Sequence, residues 1–412
     1  MLAFERFELN NGLKVLLHKD PDTEIAAVNI LYDVGARDEH PKKTGFAHLF
    51  EHLMFGGSQN IPKYDEPLEK VGGENNAFTS NDITNYYLSL PRHNIETAFW
   101  LESDRMAALD FSERKLAIQK SVVIEEFKES YLNQPYGDTW AILRKMAYKV
   151  HPYQWQTIGK SIKHIKNAQL QDVKDFFYKF YRPDNAILSV AGNLEPHTMM
   201  PMIEKWFGDI PAGKKHIRDL PQETAQRKHR RKTVLRDIPF NKIFKAYHSC
   251  KRTDKAYYAI DLMSDILSNG KSSRLYNNLV KKKKLFASID AYITGSLDNN
   301  LFVFEGTINN GIDVKDAEKA IEIEIADLCH KKVKEKELLK VKNKVEATLA
   351  LSLLNVTHKA MLLAINELID GNTKTLKDIE YYKMVTPDDI LNQAQTIFNT
   401  NNCSTLHYLK KK

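Results

Sequence analysis

Cysteine is scarce in this chain. Only Cys250, Cys329 and Cys403 occur among 412 residues, far apart and without a C-x-x-C pair. So few dispersed thiols exclude a disulfide scaffold and suit a reducing compartment. Long apolar runs are missing too. No stretch of about 18 apolar residues is present, so no segment is suited to cross a membrane as a helix. The first residues, MLAFERFELNNGLKVLLHKDPDT, carry Glu5, Arg6 and Glu8 where a signal peptide needs an apolar core. They are expected to form a strand pair turning at Asn10–Gly12, and the protein is expected to be cytoplasmic. No basic stripe is interleaved with aromatic residues, which sets nucleic acid aside. Net charge is only +7. Basic residues gather at Arg227–Lys232, Lys281–Lys284 and Lys410–Lys412, read as a linker, a solvated helix face and a frayed tail.

What is present is an ordinary globular composition, 42% hydrophobic and 27% charged. The length suits two domains of roughly 200 residues each. Strand patterns at LKVLLH and AAVNILYDVGA lead into a short apolar helix. AFTSNDITNYYLSLP reads as paired strands, followed by helices near 94–107 and 112–130 and, later, a strand at AILSVAGNL. Residues 213–232 are polar and aperiodic, the mark of a linker. The order then restarts: a strand at KIFKAYHS, a helix at AYYAIDLMSDILSNG, a hairpin over ASIDAYITGSLDNNLFVFEGTI, and helices near 314–329 and 335–353. The expected organisation is α+β: two similarly folded α/β domains, 1–212 and 233–412, each a mostly antiparallel sheet packed with helices.

The stretch GFAHLFEHLMFGG at residues 45–57 holds His48, Glu51 and His52. Positions i and i+4 share a helix face, so two imidazoles can meet one point. A catalytic zinc takes three protein ligands and a water. Glu51 sits beside that face, where a carboxylate could take a proton from the water. The corresponding helix of the second half has no such motif. The third ligand must come from elsewhere, and the cysteines lie near no histidine pair. The helix at 112–130 offers three glutamates. Val122, Val123 and Phe127 mark its buried arc, with Glu126 inside it, Glu125 at its edge and Glu129 towards solvent. A glutamate on a buried arc needs a cation, either zinc or an arginine such as Arg105.

His48-Leu49-Phe50-Glu51-His52 has the inverted zincin order His-x-x-Glu-His. With FELNNGLKVLLHKD, YDVGARDE, GGENNAFTSNDITNYYLSLP, VVIEEFKESYLNQPYG and LSNGKSSRLYNNLV, it resembles the pitrilysin, insulysin and mitochondrial processing peptidase family across nearly the whole chain. The resemblance implies a zinc endopeptidase built as half of a clam-shell chamber. It implies zinc ligands His48, His52 and Glu126, and Glu51 as general base. It also implies substrate binding as an added strand at Asn76 and Ala77. Where the family usually has a further glutamate behind the site, this chain has Gln119, which could still hydrogen-bond there.

The second half departs from the pattern. Active members carry an arginine and, seven residues on, a tyrosine that hold substrate and oxyanion. Here Val280 and Ala287 fall at those positions, and neither side chain can donate. Tyr276 or Arg274 could substitute. Otherwise the chain is the zinc-bearing subunit of a heterodimer whose paralogous partner supplies Arg and Tyr, with a homodimer the other arrangement. A non-catalytic scaffold of the same fold is the competing expectation.

Overall fold

Alternating and continuous apolar runs build two sheets. Residues 2–213, 217–371 and 378–411 are described by a computed structural model. Strands β1 (Glu5–Glu8), β2 (Lys14–Lys19), β3 (Ile25–Tyr32), β4 (Glu74–Thr79), β5 (Thr84–Pro91) and β6 (Ala186–Gly192) form the first sheet, in the order β1-β2-β6-β3-β5-β4. The β1–β2 turn falls at the expected place, with Gly12 at φ +83°. Strands β3 and β6 are buried along almost their whole length, as their apolar runs require when both faces are covered. One face is covered by the helix Val356–Asp370, whose Ala360 carbonyl accepts from Ser189 Oγ on β6 (2.6 Å). Lys359–Asp20 (2.5 Å) and Arg6–Glu367 (3.0 Å) tie its two ends to the same sheet region.

The second sheet holds β7 (Arg230–Arg236), β8 (Lys242–His248), β9 (Phe286–Ile293), β10 (Leu301–Ile308) and β11 (Cys403–Lys410), in the order β7-β11-β8-β10-β9. This is the order β2-β6-β3-β5-β4 again. In both sheets the first of these strands pairs in parallel with the last, and the other pairings are antiparallel. The repeat read from the sequence is therefore a repeat of topology. Among the described residues no single helix is long and apolar enough to cross a membrane.

The chain does not divide as two consecutive blocks. One compact unit comprises Met1–Lys128, Trp155–Leu220 and Leu349–Leu376; the other comprises Glu129–Gln154, Pro221–Thr348 and Lys377–Lys412. The boundaries 1–212 and 233–412 thus miss two exchanged segments. The polar stretch 213–232 is also more than a tether. Residues 214–216 lie outside the described residues, but Arg218 pairs with Asp33 (2.9 Å) and Asp38 (2.7 Å). Glu223 accepts from the N–H groups of Lys149, Val150 and His151 at 2.9–3.0 Å. Arg230 already belongs to β7. Polar composition marked this stretch as a linker because its partners are charges and N–H groups, not apolar faces. The basic tail is likewise part of the fold as far as Lys411, whose N–H donates to the Arg236 carbonyl.

In the first unit, the helix Ile95–Ala107 buries an ion pair. Arg105 grips Glu102 through three hydrogen bonds of 2.5–2.9 Å and lies against the rings of Tyr64 (4.4 Å) and Tyr86 (4.6 Å). Both side chains are at most 2% exposed. Removing one member of a buried pair strands the other. Arg105→Met is therefore expected to lower the stability of this unit by about 3 kcal/mol in urea unfolding, with much of the loss recovered when Glu102→Leu is added.

Candidate metal centre

The motif lies on the helix Phe46–Leu53, only eight residues long. Phe46, Leu49, Phe50 and Leu53 are buried, and the Phe50 ring stacks on Phe176 and Tyr181, both at 5.0 Å between centroids. With that face fixed, His48, Glu51 and His52 are left partly exposed on the other. Gly45 opens the helix at φ +90°, and a Cβ there would come within 2.7 Å of the Ile158 carbonyl. It has no side chain to cap the helix. That role falls to Glu39, whose oxygens accept from the N–H groups of Gly45 and Ala47 (both 2.9 Å) and from Trp155 Nε1 (3.1 Å). Burial pushes the Glu39 carboxyl upward, against the downward pull of those three donors.

The second contributor is the helix Glu113–Phe127, capped by Ser112. Its buried stripe is Leu116 and Val123, seven residues apart, and the partly exposed pair Gln119 and Glu126 repeats at the same interval. Two expectations need correction here. Val122 is 44% exposed and does not mark a buried arc. Glu126 is not buried either, since 41% of its side chain is exposed. Apolar spacing alone assigned both to the inner face, but the helix buries only a narrow stripe. The alternative cation, Arg105, is paired with Glu102 instead.

Glu126 Oε2 lies 3.6 Å from His48 Nε2 and 3.4 Å from His52 Nε2, and the imidazole planes are nearly perpendicular at 87°. One ligand atom from each of the three residues falls within 4.8 Å of the others. Tetrahedral zinc ligands at their usual bond lengths stand about 3.4 Å apart. The donor set is two imidazoles and one carboxylate on two helices, and it fits zinc. It is also the only such group among the described residues. Glu51 Oε2 accepts from Thr79 Oγ1 at 2.6 Å.

Thr79 ends β4, the edge strand. Among the described residues β4 pairs with β5 alone, with Asn76 opposite Tyr87 and Ala77 opposite Tyr86. Asn76 Oδ1 accepts the Ala77 N–H at 2.8 Å. Gln119 makes no hydrogen bond to His48, His52 or Glu126 among the described residues. In the second unit, Val280 packs partly buried against the core and Ala287 is exposed on β9. Arg274 is held by Glu337 (2.7 and 2.9 Å) and Asp327 (3.3 Å). The sequence reading gave no role to Glu39, Thr79 or Trp155. Only Thr79 carried a usable signal, since it shares a strand face with Ala77 by the two-residue period.

Residues 14–158 match the family described as Insulinase (Peptidase family M16), and residues 167–345 match Peptidase M16 inactive domain. Zinc protease PqqE of Helicobacter pylori is 28% identical over 98% of this chain and 92% of that protein. An uncharacterized zinc protease of Bacillus subtilis is 26% identical over 91% of this chain and 90% of its own length. Mitochondrial-processing peptidase subunit beta of Saccharomyces cerevisiae is 31% identical over 50% of this chain and 44% of that protein. Among solved structures, a protease from Helicobacter pylori superposes with a TM-score of 0.93 at 28% identity, covering 99% of this chain and 100% of that one. Pitrilysin superposes with a TM-score of 0.78 at 17% identity; this chain spans 45% of its length, and the likeness is one of fold.

Burial holds His48 below its ordinary 6.5, with Glu126 pulling it partly back. A hydrogen bond from His52 is the main force holding Glu126 below its ordinary 4.5. As the pH falls through these ordinary values, the unfolded chain takes up protons that the folded site refuses, so stability drops in acid. The His48 contribution is expected as a difference: in calorimetry of the metal-free protein between about pH 7 and about pH 5, a range set by the histidine value, the melting temperature of His48→Asn should shift less towards instability than that of the wild type.

Proposed function

The chain belongs to the insulinase family of peptidases, family M16, and from that premise we propose that it is a zinc-dependent endopeptidase acting on peptides or unfolded segments. The observation that carries this reading is the convergence of His48, His52 and Glu126 on one point, with Glu51 beside them and fixed by Thr79. His48, His52 and Glu126 hold the metal, and the burial of His48 keeps that imidazole neutral and ready to donate a lone pair. Zinc there would supply the Lewis acidity that polarises a peptide carbonyl and makes water nucleophilic near neutral pH. Glu51 takes the proton of the attacking water and passes it to the leaving amine. Thr79 anchors one Glu51 oxygen and leaves the other for the proton. The open edge of β4, at Asn76 and Ala77, receives the substrate as an added strand through main-chain hydrogen bonds, which tolerates many sequences.

The zinc half is complete, whereas Val280 and Ala287 offer no donor for the substrate or its oxyanion, and the guanidinium of Arg274 is engaged elsewhere. A second copy of the same chain would repeat both gaps. The preferred partner is a paralogous chain that carries the arginine and tyrosine, with Tyr276 of this chain the competing donor. One relative, the yeast protein, is by its name a subunit. The three free thiols fit action in the cytoplasm.

The test is cleavage of a quenched peptide library by this chain, alone and with its paralogue, alongside zinc analysis. Glu51→Gln is expected to keep its zinc and lose cleavage by about 10²–10⁴-fold. Thr79→Val should lose about tenfold with zinc retained. Equal cleavage by wild type and Glu51→Gln rules the mechanism out. Bound zinc without cleavage in either setting supports a scaffold instead, and full activity of the isolated chain removes the need for a partner.

A further inference from the structure

Glu39 lies outside the metal cluster, yet it is attached to the helix that carries two of its three ligands. We infer that Glu39 is the positioning residue of the metal centre: by accepting from the Gly45 and Ala47 N–H groups, it sets where along its axis and at what rotation the motif helix sits, and so where His48 and His52 meet Glu126. The inference rests on the zinc reading above.

A helix begins with unsatisfied N–H groups, and one of eight residues has little internal rigidity to spare. Gly45 cannot cap it. Glu39 divides its two oxygens between two of those groups, at 2.9 Å each, and is 5% exposed. Ala47, held in this way, directly precedes His48. Trp155 Nε1 braces the carboxylate from the side at 3.1 Å while also donating to the Ala36 carbonyl at 2.9 Å.

The anchor itself is fixed. The turn Ala36–Asp38 that leads into Glu39 is clamped by ion pairs: Arg37 to Asp33 (3.2 Å) and Asp82 (3.0 Å), and Arg218 to Asp33 (2.9 Å) and Asp38 (2.7 Å). Asp38 also accepts from the Gly35 N–H at 3.0 Å. The carboxylate thus connects a rigid turn to the first turn of the motif helix. Each residue of a helix advances about 1.5 Å and turns about 100°. Zinc distances tolerate only about 0.2 Å. A small slip or rotation at the start of this helix would spoil the meeting of the two imidazoles with Glu126.

The full-length chain is compared as wild type, Glu39→Gln and Trp155→Phe. A glutamine has one oxygen and one NH₂, so one of its ends must face a donor with a donor. Four quantities are read: Zn²⁺ affinity by competition with a chromophoric chelator, the visible absorption of the Co²⁺-loaded protein, far-UV circular dichroism, and the melting temperature. A purely structural role would lower the melting temperature and leave metal affinity and the Co²⁺ spectrum of the folded protein unchanged. The positioning role predicts a loss of about tenfold or more in Zn²⁺ affinity for Glu39→Gln. It also predicts a shifted Co²⁺ spectrum at unchanged secondary structure. Trp155→Phe should move both in the same direction by less. Wild-type affinity and spectrum in folded Glu39→Gln overturn the inference. If Glu39→Gln does not fold, Trp155→Phe decides by the same criterion. Absence of Zn²⁺ binding in the wild type overturns the zinc reading itself, which is a separate and recognisable failure.

Discussion

The apolar face of one short helix carries the site. Eight residues in isolation would not stay helical in water. The helix Phe46–Leu53 exists because Phe46, Leu49, Phe50 and Leu53 are taken into the first core and Phe50 stacks within an aromatic cluster that includes Phe176 and Tyr181. Once that face is committed, the remaining residues have no freedom to point elsewhere. Two imidazoles and a carboxylate are presented to the facing helix, whose own commitment is made by Leu116 and Val123. The cluster of two imidazoles and a carboxylate is thus the polar consequence of two apolar decisions. The acidic anchor at Glu39 and the hydroxyl of Thr79 refine a placement that packing has already made coarse.

Periodicity and motif spacing made much of this legible. The strands AAVNILY and AILSVAG announce buried positions by unbroken apolar runs, and they form the middle of the first sheet. The i, i+4 histidines and a glutamate on a second helix do come together. Spacing failed where burial depends on width. A helix that buries only a narrow stripe leaves Val122 in solvent, and no local pattern reports how wide the stripe will be. Spacing also says nothing of partners distant in the chain. Glu39 and Trp155 are more than a hundred residues apart and meet at a helix start that neither one's neighbourhood announces. The polar stretch 213–232 misled for a related reason. Its residues are ordered by charges and backbone donors, which leave no hydrophobic period behind.

The two sheets share a strand order down to the parallel pairing of first and last strands, yet only one unit bears the motif. Topology is maintained by backbone pairing and by alternation of apolar residues, and these tolerate wide change of side chain. A site is maintained by a handful of polar identities. The second unit keeps the first kind of information and none of the second at the corresponding helix, Ala256–Ser268, most of whose residues are buried and apolar. Its polar groups serve the fold instead. Lys245, on β8, is buried against Glu318 and Glu322, and Glu318 also takes Arg231 and His407.

The exchanged segments bear on how such a chain is made. The first sheet is complete in sequence by Gly192, but the helix that covers β3 and β6 begins at Val356, roughly 160 residues later. At a synthesis rate of about 5–20 residues per second, the emerging sheet waits on the order of ten seconds or more with that apolar face uncovered. During that interval the nascent first unit is a surface for chaperones, or for other nascent chains. The order of translation, rather than the final packing, sets its period of greatest exposure to aggregation.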